Sequence, residues 1–134
     1  MKQMPKIEKY MTPMPHTIGR DISIKKALDM MREYRIRHLP VQDGGRLVGV
    51  LSDRDIKLAI SFNLTDDTKV EDVMTPDPYT VKVHANLDEV VLQMAEHKYG
   101  CSIIVQDNGK VVGIFTDVDG LRVLGEMIHQ HYKS

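Results

Sequence analysis

Apolar positions along this chain change their period several times, and each change marks an element. Ile24, Ala27, Leu28 and Met31 recur at helical spacing and predict a helix over about 24–34. Leu87, Val90, Val91 and Met94 do the same over about 87–98. Ser23 and Asn86 stand where N-caps belong, and Glu89 lies three residues after Asn86, the spacing of a capping box. HLPVQ (38–42) and SIIVQ (102–106) read as strands. Asp43-Gly44-Gly45 and Asp107-Asn108-Gly109 follow them as hairpin turns, because Gly and Asn accept the positive φ such turns need. RLVGVLS and KVVGIFT are the return strands, apolar enough for burial on both faces. Closing helices are expected over about 53–63 and 117–131, and short extended segments near Thr17-Ile18 and Thr80-Val81, where nearby prolines exclude helix.

The pattern is one unit written twice. IEKYMTPMPHTI (7–18) aligns with VEDVMTPDPYTV (70–81) at an offset of 63, held through Glu33 and Glu96. From Val41/Val105 onward the offset reads as 64, which predicts one extra residue between the second copy's helix and its next strand. The expected architecture is mixed α+β: two tandem β-α-β-β-α repeats, 7–64 and 70–131, joined by the polar linker 65–69. Homologous halves of this kind are expected to pack about a pseudo-two-fold axis and leave paired clefts. Half of 134 residues would be marginal alone, so each half needs the other.

Charge and composition narrow the function. Lys and Arg total 18 against 19 Asp and Glu, a net charge of −1, so no basic face for nucleic acid is implied. The single Cys101 excludes an internal disulfide framework and suits a reducing compartment. MKQMPKIEKYM has no apolar run long enough for a signal peptide, and no stretch approaches a membrane span of about 20 apolar residues. A cytoplasmic protein without a membrane partner is the expectation.

The chemistry concentrates in a phrase that also occurs twice, GVLSDRD at 49–55 and GIFTDVD at 113–119. Ser52-x-x-Asp55 and Thr116-x-x-Asp119 have the spacing of helix caps, and Asp53 and Asp117 suit the positive end of a helix dipole. Three features add a ligand reading to this bland one. A strand end meeting a helix start presents unbonded N–H groups to an anion. Gly49 and Gly113 leave room for another group against the strand. The arrangement also recurs in two homologous halves. A hydroxyl suits a phosphate oxygen, and a carboxylate one turn later suits a vicinal diol, at roughly 1.5–3 kcal/mol per charge-assisted bond. Phosphate and diol together point to a nucleotide.

These residues, with MTP-x-P-x-T near the start of each copy and RIRHLPV at 35–41, resemble a tandem pair of cystathionine-β-synthase (CBS) domains, a Bateman module, across residues 7–131. The resemblance implies a stand-alone, non-catalytic regulatory module that dimerises into a disc-like assembly. It implies an adenosine ligand (AMP, ADP, ATP or S-adenosylmethionine) in the clefts between repeats, and a signal passed to a partner protein or through a homodimer. Position by position, Asp55 and Asp119 match the ribose-binding acid, and Ser52 and Thr116 the hydroxyl near the phosphate. Thr17-Ile18 and Thr80-Val81 match the segment whose backbone reads the adenine edge. Pro40 and Ile104 match the walls of the base slot, and Arg54, Arg37 and His38 the phosphate side. In the second copy Arg37, His38 and Arg54 become Gly100, Cys101 and Val118, so unequal sites are expected, with phosphates favouring Asp55. The alternative is a ligand-free scaffold whose phrases only cap helices.

Other residues carry less. His129 and His131 lie about 200° apart on a helix and read as a frayed tail rather than metal ligands. No nucleophile is paired with a base, so no catalytic residue is assigned. Cys101 reads as core, and the methionines, including Met30, Met31 and Met94, as core and dimer packing.

Overall fold

The structure, a computed structural model, describes residues 2–133. It has two four-stranded mixed sheets and four helices in two compact units. One unit is Pro15–Pro78; the other joins the described residues through Met14 to those from Tyr79 onward.

In the first unit, β2 (Ile18–Gly19) runs parallel to β3 (His38–Asp43), which pairs antiparallel with β4 (Arg46–Ser52). β4 pairs in turn with β5 (Thr75–Pro76). Helices α1 (Ile24–Tyr34) and α2 (Asp53–Ser61) complete the unit. Ile18, Ala27, Met31, Leu39, Val41, Leu51, Ile56 and Val70 form its core. The Ser23 side chain caps α1 by accepting from Lys26 N, and Arg35 ends the helix in the left-handed region at φ 56°.

The second unit repeats the plan with β1 (Thr12–Pro13), β8 (Val111–Thr116), β7 (Cys101–Val105) and β6 (Thr80–Lys82), in that order across the sheet. Its helices are α3 (Leu87–His97) and α4 (Asp117–Tyr132). Its core is Ile7, Leu87, Val90, Met94, Ile104, Phe115 and Val123.

The sequence repeats and the compact units differ by an exchange of the MTP segments. The first copy's segment completes the second unit: Ile7 N donates to Ala85 O at 2.8 Å, Leu87 N to Pro5 O at 2.9 Å, and Pro13 pairs with Gly113. The second copy's segment completes the first unit: Val70 N donates to Ile22 O at 2.7 Å, Ile24 N to Thr68 O at 2.8 Å, and Pro76 pairs with Gly49. Ile7 and Val70 are both wholly buried, and each such side chain contributes roughly 1.5–3 kcal/mol to the unit it joins.

Several sequence expectations are corrected. Asn86 sits at the N-cap of α3 but makes no capping bond; its Oδ1 instead accepts from Lys6 Nζ at 2.7 Å, so there is no box with Glu89. The extra residue of the second copy lies in the hairpin, not between helix and strand. Asp43 and Arg46 flank two residues, Gly44 and Gly45, both at positive φ, whereas Gln106 N reaches Lys110 O across three. Before the turn the offset stays 63: Val41 and Ile104 both face the strand glycine, Gly49 or Gly113. Pro40 therefore corresponds to Ile103, and Ile104 to Val41. Of the return strands, β8 buries Gly113, Ile114 and Phe115 in succession but leaves Val111 and Val112 half-buried, and β4 keeps Val48 and Val50 half-buried, so neither strand is covered on both faces along its whole length. His129 and His131 lie within regular helix, since α4 runs to Tyr132.

Candidate functional site

Each unit brings its phrase to the end of an interior strand, where that strand enters a helix. In the first unit, Ser52 ends β4 directly opposite His38, which begins β3, so the two side chains share a sheet face. Pro40, two residues along β3, is on that face too. Asp53 N donates to Arg37 O at 3.0 Å, fixing the start of α2 against the start of β3. Thr17 precedes β2, next to the Ile18–Val41 pairing. The Ile18 side chain is buried in the core, so only its backbone edge is presented. Arg37 and Arg54 are exposed and His38 is half-buried.

The second unit sets the same frame with other chemistry. Cys101 opposes Thr116, and Asp117 N donates to Gly100 O at 3.0 Å. Thr80 pairs with Ile103 and Val81 with Ile104. The cationic and imidazole side chains of the first unit are thus replaced by a glycine, a buried thiol and, at Val118, an isopropyl group.

Both phrases form complete capping boxes. Ser52 Oγ accepts from Asp55 N at 3.1 Å while Asp55 Oδ2 accepts from Ser52 N at 2.9 Å. Thr116 Oγ1 accepts from Asp119 N at 3.3 Å while Asp119 Oδ2 accepts from Thr116 N at 2.9 Å. The boxes differ in what remains. Asp55 is half-buried, and its Oδ1 has no hydrogen-bond partner among the described residues. Asp119 is 6 % exposed, and its Oδ1 accepts from Arg122 Nη1 at 3.0 Å. Sequence reasoning missed Arg122, although D-x-x-R at 119–122 has the spacing of a helical ion pair.

The strand glycines make room for a protein group. A Cβ on Gly49 would lie 2.5 Å from Met74 Sδ and 2.8 Å from Thr75 O; one on Gly113 would strike the Met11 side chain. The MTP methionine fills the space that the sequence reading had left for another group.

A separate feature of the second unit is an apolar groove of about 770 Å³ between α3 and α4, floored by Phe115 and walled by Leu87, Val91, Leu121, Leu124 and Met127. Tyr99 lines it and stacks on Tyr79 with ring centroids 5.0 Å apart. Burial, then the neighbouring Tyr99 and Glu89, push the Tyr79 phenol above the ordinary tyrosine value. Among the described residues no three His, Cys, Asp or Glu side chains gather as metal ligands. No helix among them is long and apolar enough to cross a membrane.

Two sheets of like topology, each carrying the hydroxyl–carboxylate phrase where the second strand of its central hairpin enters a helix, define a tandem repeat. The CBS-domain profile matches residues 7–61 and 70–126, and the chain belongs to the CBS-domain family. A Vibrio cholerae protein described as the acetoin utilization protein AcuB is 34 % identical, with a TM-score of 0.85 and 98 % of both chains covered. The CBS domain pair of MJ0100, solved with 5′-methylthioadenosine and S-adenosylmethionine, is 28 % identical with a TM-score of 0.87, over 93 % of this chain and 99 % of that one. CBSX2 in complex with AMP is 29 % identical with a TM-score of 0.77, over 91 % and 97 %. The L-aspartate semialdehyde sulfurtransferase of Methanocaldococcus jannaschii is 32 % identical over 83 % of this chain. The inosine-5′-monophosphate dehydrogenase of Korarchaeum cryptofilum is 34 % identical over 77 %. The chain spans about a fifth of the length of these two enzymes.

Proposed function

We propose that this protein is a non-catalytic regulatory module that senses an adenosine-type ligand, AMP, ADP, ATP or S-adenosylmethionine. Asp55 and Asp119 accept from the ribose hydroxyls, and Ser52 and Thr116 stand beside the first phosphate. The backbone of Thr17-Ile18 and of Thr80-Val81 reads the adenine edge. Pro40 and Ile104 wall the base slot; the register makes Ile103 the closer counterpart of Pro40. Arg37, His38 and Arg54 supply the phosphate side of the first half-site. The signal passes through a homodimer or to a separate protein in the cytoplasm, with no nucleic acid and no membrane involved.

One observation carries this reading: the Asp55 box uses only Oδ2, so a second carboxylate oxygen remains for a diol at the start of a helix. AMP, methylthioadenosine and S-adenosylmethionine in related CBS structures support the ligand class. Ligand moves such a module only by its differential affinity for two arrangements.

Asp55→Asn separates gripping from capping, because the amide oxygen can still accept from Ser52 N. The account expects AMP affinity to fall about tenfold or more by calorimetry, with the ligand-free melting temperature nearly unchanged. A second reading, a ligand-free scaffold, is favoured by both boxes being closed. It expects no stabilisation by millimolar AMP or ATP, where binding would raise the melting temperature by mass action.

A further inference from the structure

The two half-sites differ in a way that residue type at the phosphate positions does not capture. At Asp119 both groups that a nucleotide would engage are already satisfied by the protein. The carboxylate oxygen left over from the box accepts from Arg122 Nη1 at 3.0 Å, so a guanidinium N–H stands where a diol hydroxyl would donate. The free N–H in the first turn of α4, that of Val118, donates to Asp117 Oδ1 at 2.8 Å, so a carboxylate sits where an anion would bind. At Asp55 neither substitute exists. Leu58 takes the place of Arg122, 56 % exposed and unable to reach a carboxylate as a donor. Asp53 is drawn toward Lys57 Nζ at 3.7 Å, and Arg54 N has no hydrogen-bond partner among the described residues.

Resting on the adenosine reading above, we propose that the Asp119 half-site is held closed by its own side chains, Arg122 standing in for the diol and Asp117 for the phosphate. The chain then fills its Asp55 half-site first. The second half-site fills only when ligand displaces Arg122 from Asp119, and it discriminates against phosphates while Asp117 faces the helix start. Arg122 is thus a specificity-determining residue that sets the ligand concentration at which the second site responds. Salt, which screens the partly exposed guanidinium, narrows the gap between the sites.

The test is a reciprocal exchange read by calorimetry of the full chain with AMP. Asp55→Asn and Asp119→Asn assign the binding stages. The wild type is expected to show a tighter stage lost with Asp55→Asn and a weaker one lost with Asp119→Asn. Arg122→Leu tightens the weaker stage by about three- to tenfold, between the effect of an exposed pair and that of a buried charge-assisted bond. Leu58→Arg weakens the tighter stage by a similar factor, and Asp117→Asn tightens the weaker stage for AMP more than for methylthioadenosine. Both exchange positions are solvent-exposed, and melting temperatures without ligand within a few degrees of wild type confirm folding. If either exchange variant fails to fold, Asp117→Asn carries the comparison. Two equal stages in the wild type, or exchanges that move neither stage, overturn this proposal and leave the adenosine reading standing. A wild type that binds neither AMP nor methylthioadenosine overturns both.

Discussion

Asp55 and Asp119 each do the work of a helix cap, and that alone explains why an acid follows the hydroxyl by three residues. What a cap does not explain is the difference in their second oxygens. One is open and the other is bound to Arg122, with Asp119 itself almost wholly buried. The strand glycines belong at this scale as well. Gly49→Ala puts a methyl group against Met74 Sδ and, less yieldingly, against the backbone oxygen of Thr75. The expected cost is about 1–3 kcal/mol of unfolding free energy, measured by denaturant titration, because the backbone neighbour cannot rotate away. Gly44→Ala, in a turn with nothing within 4 Å of its added carbon, is strained by its φ of +57° rather than by contact. Ser102 marks another residue-level contrast: wholly buried, its hydroxyl has no partner among the described residues, where the first unit places Leu39.

At the scale of elements, the two helix pairs differ in chemistry around one groove. By the repeat offset, Ala95, Gly120, Leu121 and Met127 around the α3–α4 groove correspond to Arg32, Ile56, Lys57 and Asn63 on α1 and α2 and in the turn after α2. The second unit is apolar where the first has Arg32, Lys57 and Asn63, and smaller where the first has Ile56. Leu121, Leu124 and Ile128 stand 68 %, 54 % and 48 % exposed along α4, beside the groove. A solvated helix does not hold such a stripe without cause, and the proposed homodimer would cover it. Leu124→Glu is expected to convert a dimer to monomer in light scattering after size exclusion, with the unit still folded. An unchanged mass would move the dimer contact elsewhere. The MTP segments also act at this scale. Each completes the sheet of the unit built mainly from the other copy, so neither copy alone contains a whole core.

For the whole molecule, much was legible in the sequence. Period and turn chemistry located α1, β3, β4 and the starts of α2 and α4 because apolar spacing, Gly-Gly and S/T-x-x-D are local signals. The strands of the MTP segments were not legible, since two residues carry no period and their partners lie far along the chain. Asn86 misled because a good cap residue was recruited by a distant lysine, Lys6. The extra residue was misplaced because Val-Gln-Asp recurs in both copies, and that identity pulled the alignment out of the register that the backbone keeps. Of the site, the hydroxyls, acids and flanking cations were readable as residue types. The closure of Asp119 by Arg122 needed a rotamer and a distance.

The account stands on a carboxylate that both ties off its helix and receives a sugar. A crystal structure of the protein grown with AMP tests this most directly. It is expected to show both ribose hydroxyls donating to the Asp55 carboxylate at about 2.5–3.0 Å, with the bond from Ser52 N retained. Well-ordered crystals at millimolar AMP with no nucleotide at Asp55, and with its Oδ1 facing only solvent, would contradict it.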